Sequence, residues 1–97
     1  MNMISDTIIT IEKEALDTIH FPQQEVLVDT TQIAQRVYEA KRAMKLGNLF
    51  NDKVKILFED AEGMKMVESS VWGMTDSYLI FKRGTMLPLN RIHEIII

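Results

Sequence analysis

The stretch VKILFEDAEGMKMVESSVWGMTDSYLIF, residues 54–81, decides the fold. Short apolar runs that are typical of strands alternate here with two turn signals, Asp60-Ala61-Glu62-Gly63 and Thr75-Asp76-Ser77. Together with the residues that follow, this stretch predicts a small, strongly bent antiparallel barrel of five strands over residues 52–97. We therefore expect an α+β protein that is mainly β.

The first two barrel strands are predicted at residues 53–59 and 64–73. Val54, Ile56 and Phe58 share one face of the first, which is the alternation of a half-buried strand. The second is long and carries polar and apolar residues on both faces. We expect it to bend, at Ser69-Ser70 or at Gly73, because a bend lets a small sheet close on itself.

The remaining strands are predicted at residues 78–82, 86–89 and 95–97. Arg83-Gly84 forms the turn before the fourth strand, and Pro88 belongs at a sheet edge or a bulge because it has no backbone donor. A single helical turn is expected at residues 90–93. The final strand then lies back across the first.

An amphipathic helix is predicted at residues 30–46. Asp29 is a good N-cap with Gln32 in capping-box register, and Val28 and Ile33 have the spacing of a hydrophobic staple. Gly47 is placed to end the helix in a left-handed conformation.

Two faces of this helix are distinguished by their side chains. The apolar residues recur with helical period, which predicts the buried face; they are Ile33, Val37, Ala40 and Met44, with Ala34 and Tyr38 beside them. The basic residues form either an ordinary solvated face or a surface for phosphate or an acidic partner; they are Arg36, Lys41, Arg42 and Lys45.

Residues 1–28 precede this helix as strands or as an arm. The β-branched residues 7–11 favour a strand, residues 12–17 favour one short helical turn, and Glu25-Val26-Leu27-Val28 is interpreted as a second strand. Phe21-Pro22 interrupts regular structure between them. The segment either covers an end or an edge of the barrel or acts as a partner-binding arm. The whole chain, residues 1–97, is expected to be a single domain.

The order of one helix, four strands, a tight turn and a fifth strand resembles the SH3-like small barrels, and among them the Sm-like barrel, over residues 30–97. Three stretches carry the resemblance: VKILFED at 54–60, VWGMTD at 71–76 and LPLNRIHEI at 87–95. The chain is also similar to a family of small, uncharacterised bacterial proteins with no known activity.

The resemblance to Sm-like proteins implies a ring-shaped oligomer that binds RNA. The positions that match its RNA-binding loops are Thr75, Asp76, Ser77, Asn90, Arg91 and His93. Asp76 fits the pattern, whereas the second loop lacks the expected glycine-containing signature. The fold hosts many unrelated functions, so the resemblance alone does not decide between them.

Composition limits the classes of function. The chain has a net charge of −3, neither half is basic, and this disfavours nucleic-acid binding. It has no cysteine, which excludes disulfides and thiolate chemistry. No signal peptide and no membrane-spanning run are recognised, and we expect a cytoplasmic protein.

No catalytic set, metal site, cofactor or small-molecule substrate is predicted. His20 and His93 are far apart, and Glu94 would point to the opposite face from His93 in a strand. The acids near turns, Glu59, Asp60, Glu62 and Asp76, are better explained as partners of backbone donors than as a cation site. Ser69 and Ser70 lack a base in reach.

The candidate interaction surface consists of Trp72 and Tyr78 with the Met64–Met66 edge. Trp72 alternates with polar residues, so we expect partial exposure, whereas Phe81 is assigned to the core. Lys82, Arg83 and Arg91 are candidate contacts for RNA or another anion. The preferred function is a non-enzymatic module that binds a protein partner or self-associates as a homo-oligomer; the alternative is an Sm-like RNA-binding protein.

Overall fold

A computed structural model describes residues 8–97. The elements follow in the order β1 (Ile9–Ile11), a 3₁₀ helix (Lys13–Thr18), α1 (Thr30–Phe50), β2 (Val54–Glu59), β3 (Met64–Ser69), β4 (Val71–Met74), β5 (Tyr78–Phe81), a 3₁₀ turn (Lys82–Gly84), β6 (Met86–Pro88), a 3₁₀ turn (Leu89–Arg91) and β7 (Ile92–Ile96). The prediction of an α+β chain with one main helix is confirmed.

The strands form two sheets. The first has the order β1-β3-β2-β7, in which β2 runs antiparallel to β3 and β7 while β1 runs parallel to β3. The second has the order β4-β5-β6 and is antiparallel throughout. Among the described residues these sheets do not close on each other, so the expected barrel is not confirmed.

The core lies between the two sheets and the helix. Val54, Ile56 and Phe58 of β2 are buried, as their alternation predicts, and β2 lies in the interior of its sheet. Phe81 is buried as well, which confirms its assignment to the core. The final strand pairs with β2, as expected for a strand that returns across the first. It begins at Ile92 rather than at residue 95, because the expected helical turn lies at Leu89–Arg91 and ends before the predicted residue 93.

The long second strand bends at Ser70, one of the positions predicted. Ser70 is the single residue between β3 and β4, and its hydroxyl donates a 3.0 Å hydrogen bond to the carbonyl of Asn51. This bond fastens the bend to the end of the helix. The strand therefore leaves the first sheet and enters the second at a point fixed by a buried polar contact.

Both predicted turns are present. The Asp60 carboxylate accepts hydrogen bonds from the backbone N–H groups of Glu62 and Gly63, at 2.8 and 3.1 Å, and Gly63 has φ of 142°. The Thr75 hydroxyl accepts in the same way from the Ser77 and Tyr78 N–H groups, at 3.1 and 3.0 Å. These side chains satisfy donors that the turns leave unpaired.

The helix starts as predicted but ends one turn later. The Asp29 side chain accepts from the Thr31 N–H at 2.8 Å, which confirms the N-cap. The predicted staple is wrong, because Val28 is 95% exposed. The predicted end at Gly47 is also wrong: the helix continues to Phe50, and Asn51 takes the left-handed conformation with φ of 59°.

The buried face of α1 is rotated from the predicted stripe. Arg36, Ala40, Ala43 and Gly47 are its buried residues, and they keep the predicted spacing but start three residues later. Three residues along a helix correspond to a rotation of the face by about 60°. Small side chains allow α1 to approach β4 closely, and a β-carbon added at Gly47 would lie 2.1 Å from the carbonyl oxygen of Val71.

The N-terminal segment packs on the sheets. A strand and a helical turn are present as predicted, but the strand is shorter, since β1 begins at Ile9, and the helical turn begins one residue later, at Lys13. Thr7, the first residue of the predicted strand, lies outside the described residues. The second strand predicted at residues 25–28 is wrong. This part is irregular because its backbone bonds to the 3₁₀ turn before β7: the Val26 N–H donates to the Asn90 carbonyl, and the Asn90 amide donates to the Gln23 carbonyl.

Candidate functional site

Trp72 occupies a β-bulge at the start of the second sheet. Val71 pairs with Phe81 and Gly73 pairs with Ile80, so Trp72 is the extra residue between them. A bulge redirects the side chain of its extra residue. Trp72 is 47% exposed, whereas Val71 beside it is fully buried. The predicted partial exposure of Trp72 is confirmed.

The ammonium group of Lys82 lies over the indole ring of Trp72. The Lys82 Nζ is 5.5 Å from the ring centroid, which is within the range of a cation–π contact. Such a contact at an exposed site contributes about 0.5–1 kcal/mol. Among residues 8–97, Lys82 takes part in no ion pair with a carboxylate. Its positive charge is therefore held at the surface beside an aromatic ring.

Two apolar side chains of the last helical turn adjoin this pair. Leu49 and Phe50 are each 66% exposed, and they line a shallow depression of about 440 Å³ together with Trp72 and Lys82. We call these four residues, Leu49, Phe50, Trp72 and Lys82, the Trp72 patch. Sequence reasoning missed the two helical residues because it ended the helix before them, although an apolar pair next to Asn51 was a visible signal.

Tyr78 belongs to a different depression. It is 40% exposed and alternates along β5 with the buried Leu79, so it points away from the core. It lines a groove with Met86 of the neighbouring strand, and this groove shares no lining residue with the Trp72 patch. The structure therefore separates Trp72 from Tyr78, which the sequence had placed on one candidate surface.

Met64 and Met66 lie within a sheet rather than on its edge. Both belong to β3, which pairs with β2 on one side and with β1 on the other. Met66 is directly opposite Thr10 of β1, and both methionines are half-buried. The expected Met64–Met66 edge is wrong because the N-terminal strand covers β3.

The three candidate anion contacts are in different environments. Lys82 is held over Trp72, and Arg83 is exposed in the turn before β6, where its φ is 71°. Arg91 is only 4% exposed, and its guanidinium donates to the backbone carbonyls of Glu59 and Gln24 at 3.0 and 2.8 Å. Arg91 is thus a structural residue that fixes the N-terminal segment, and it is not presented to a ligand.

The basic residues predicted on one face of the helix also lie in different environments. Arg36 is 7% exposed and forms a two-point ion pair with Glu25, with Nη1 and Nη2 at 2.7 and 2.5 Å from the carboxylate oxygens. Its Nη1 also donates to the carbonyl of Ile92 at 3.0 Å. The hydrogen bonds from Arg36 are the main cause that lowers the pKa of Glu25. Arg42 pairs with Glu39 on the surface at 2.9 Å.

Three of the four acids near turns, Glu59, Asp60 and Glu62, are partners of neighbouring groups. Asp76 is exposed and belongs to no ion pair among residues 8–97. Asp60 is buried and bonds to the Lys65 ammonium as well as to its own turn. Burial acts to raise the pKa of Asp60, but these hydrogen bonds together lower it below its ordinary value. His93 Nε2 lies 2.8 Å from a carboxylate oxygen of Glu59. No group of three metal-ligating side chains occurs among residues 8–97.

Comparisons with protein-family models, with curated proteins and with solved structures find no match to this chain. No helix in the described part of the chain combines the length and the apolar character that crossing a membrane requires.

Proposed function

We propose that this chain is a non-enzymatic interaction module, which associates with another protein or with a second copy of itself through the Trp72 patch. The observation that carries the proposal is the grouping of Trp72, Leu49 and Phe50, three large apolar side chains that are each about half exposed or more. Tryptophan is enriched among the residues that dominate binding energy at protein interfaces.

The position of the patch supports this role. Trp72 lies in β4 and Lys82 directly follows β5 of the same sheet, whereas Leu49 and Phe50 come from the end of the helix that packs on it. The hydrogen bond between Ser70 and the Asn51 carbonyl joins the helix end to the strand next to the patch. The backbone of the patch is therefore fixed before a partner arrives, which lowers the entropic cost of binding.

We also infer that the two sheets are the halves of an SH3-like barrel of the Sm type. Only Ser70 separates β3 from β4. If these two are taken as one bent strand, the strand order becomes β7-β2-β3/β4-β5-β6, with five strands and a helix before them. The N-terminal strand β1 is then an addition to this plan.

Photo-crosslinking from inside the patch tests the interaction. Benzoylphenylalanine is placed at Phe50 in the full chain, and the matched control carries it at Tyr38, which is 59% exposed on the same helix. We expect a discrete crosslinked product from position 50 in the source cells, none from position 38, and loss of the product when Trp72→Ala is added. Crosslinking that is equal at both positions, or that does not depend on Trp72, contradicts the proposal.

Sm-like RNA binding is the second candidate function. It is supported by the Lys82–Trp72 pair, because an aromatic ring beside a base suits an unstacked nucleotide. The burial of Arg91 removes one of the cations that this function would use. Titration with a single-stranded RNA oligomer distinguishes the two functions: RNA contacts require affinity that falls steeply as salt rises and that Lys82→Ala weakens. No binding at low salt rejects this candidate.

A further inference from the structure

A groove of about 730 Å³ lies on a different part of the molecule from the Trp72 patch. It is bounded by the N-terminal 3₁₀ helix, the segment at residues 21–25, the first half of α1, the β4–β5 turn and the β5–β6 hairpin. Its volume is within the range of functional binding sites, and it is open to solvent. A groove that is open to solvent and lined by several segments of the chain suits an extended peptide better than a small molecule that must be enclosed.

The lining of the groove is partly apolar. Leu16 and Leu89 are buried in the core beneath it, and the ring of Phe21 packs against Phe58 of β2 with the ring centroids 5.9 Å apart. Tyr78 and Met86 stand at its border and are each about 40–45% exposed. A ligand that fits this groove therefore needs apolar side chains.

The charges of the groove are unbalanced. Its charged side chains are Asp17, Glu25, Arg36 and Asp76. Glu25 and Arg36 neutralise each other through their two-point ion pair. Asp17 and Asp76 are exposed and belong to no ion pair among residues 8–97. Two negative charges on different elements are therefore left without a counter-charge in the described part of the chain.

We propose that this groove binds an extended peptide segment of a partner protein in which apolar residues stand beside arginine or lysine. The apolar side chains pack against the exposed side chains of Tyr78 and Met86. The cations pair with Asp17 and Asp76. The exposed ring of Tyr78 offers a face for a cation–π contact with the same basic residues. The site goes beyond the proposed function, because it uses neither Trp72 nor the helix end.

Fluorescence anisotropy with a defined peptide tests the proposal. The probe is a fluorescein-labelled nonapeptide in which two arginines flank a central pair of leucines; the matched probe has glutamates in place of the arginines. We expect saturable binding of the arginine probe and none of the glutamate probe. The absence of saturable binding of the arginine probe overturns the proposal.

A pair of double variants localises the binding. The double variant Asp17→Asn, Asp76→Asn is expected to lower the affinity for the arginine probe about fivefold or more, because two surface ion pairs are lost. Asp52→Asn with Glu68→Gln changes the net charge equally, at exposed acids outside the groove, and is expected to leave the affinity unchanged. An equal loss in both variants overturns the proposal in favour of general electrostatic attraction.

Two further measurements distinguish a peptide in the groove from binding at the Trp72 patch and from binding of a small polycation. Trp72→Ala is expected to leave the affinity for the arginine probe unchanged, so failure of the Trp72 patch as an interface does not affect this test. Binding of spermine is measured directly, by isothermal titration calorimetry with wild type and with the Asp17→Asn, Asp76→Asn double variant. If spermine binds in the groove and the arginine probe does not, a small polycation replaces the peptide as the ligand and the proposal is wrong.

Discussion

Gly47 of the helix lies directly against the backbone of Val71 in β4. A β-carbon at position 47 would lie 2.1 Å from the Val71 carbonyl oxygen and 3.0 Å from its carbonyl carbon. Real β-carbons do not approach backbone atoms so closely, so any larger residue moves the helix away from the strand. Gly47 therefore sets the distance between the two elements that carry the Trp72 patch.

The first prediction concerns this close approach. Gly47→Ala gains about 1 kcal/mol of helix propensity but forces the helix off β4, and we expect a net loss of about 1–3 kcal/mol in the free energy of unfolding. Urea denaturation measures the change. Asn48→Ala, at the exposed neighbouring position, is expected to be neutral or slightly stabilising. A Gly47→Ala protein as stable as wild type would contradict the described packing.

The second prediction concerns the buried guanidinium of Arg36. Arg36→Ala leaves the Glu25 carboxylate and the Ile92 carbonyl without their donor. Loss of a fully buried pair costs about 3–5 kcal/mol, and because the Glu25 side chain is about one-third exposed we expect about 2 kcal/mol. Arg42→Ala removes a surface pair with Glu39, and a change of at most about 0.5 kcal/mol is expected. Equal effects in the two variants would contradict the buried role of Arg36.

The third prediction concerns the pH dependence of stability through Asp60. The pKa of Asp60 in the folded chain lies below its ordinary value of 3.8, because hydrogen bonds from Lys65, Glu62 and Gly63 together outweigh the effect of burial. A lowered folded-state pKa means that the carboxylate stabilises the fold fully above about pH 5 and loses this effect as the pH falls through the folded-state value.

We therefore expect wild type to exceed Asp60→Asn in unfolding free energy at pH 7, and the difference to shrink towards pH 2.5. Urea denaturation at a series of pH values measures it. Asp52→Asn, at an exposed acid, serves as the control and is expected to show little difference at any pH. A difference between wild type and Asp60→Asn that stays constant down to pH 2.5 would show that the ionised carboxylate contributes nothing to the turn.

The fourth prediction separates the surface role of Trp72 from the core role of Phe81. Trp72→Ala removes a half-exposed side chain and is expected to cost about 1 kcal/mol or less, including its contact with Lys82. Phe81→Ala empties a buried site and is expected to cost about 3–5 kcal/mol. Thermal and urea unfolding measure both. A large loss in Trp72→Ala would identify Trp72 as a packing residue and weaken the proposed function.

Local patterns in the sequence were sufficient for most of the strands and turns, although not for residues 25–28, which form no strand. The alternation of Val54, Ile56 and Phe58 located the central strand, and the paired serines located the bend. These features depend on neighbouring residues only. The burial of Phe81 followed in the same way from its place in a short apolar strand.

Contacts between distant segments were not predictable from such patterns. A glycine near a helix end suggests a cap, yet Gly47 is needed for the approach of Val71, which is far away in sequence. Arg36 is buried because Glu25 reaches it, and Arg91 is buried because the backbone of residues 24 and 59 accepts its donors. The sequence predicted only part of the Trp72 patch for the same reason, since the positions of Leu49 and Phe50 depend on where the helix ends.

Oxidative footprinting tests most directly whether the Trp72 patch is covered by a protein in the cell. Trp72 is the only tryptophan in the chain, and Tyr38 provides an exposed aromatic reference on the helix. Hydroxyl-radical labelling with mass spectrometry compares the oxidation of the two side chains in dilute purified protein and in intact source cells. We predict that the oxidation of Trp72 falls relative to that of Tyr38 in the cells. An unchanged ratio would mean that the patch stays open to solvent, and it would contradict the proposed function.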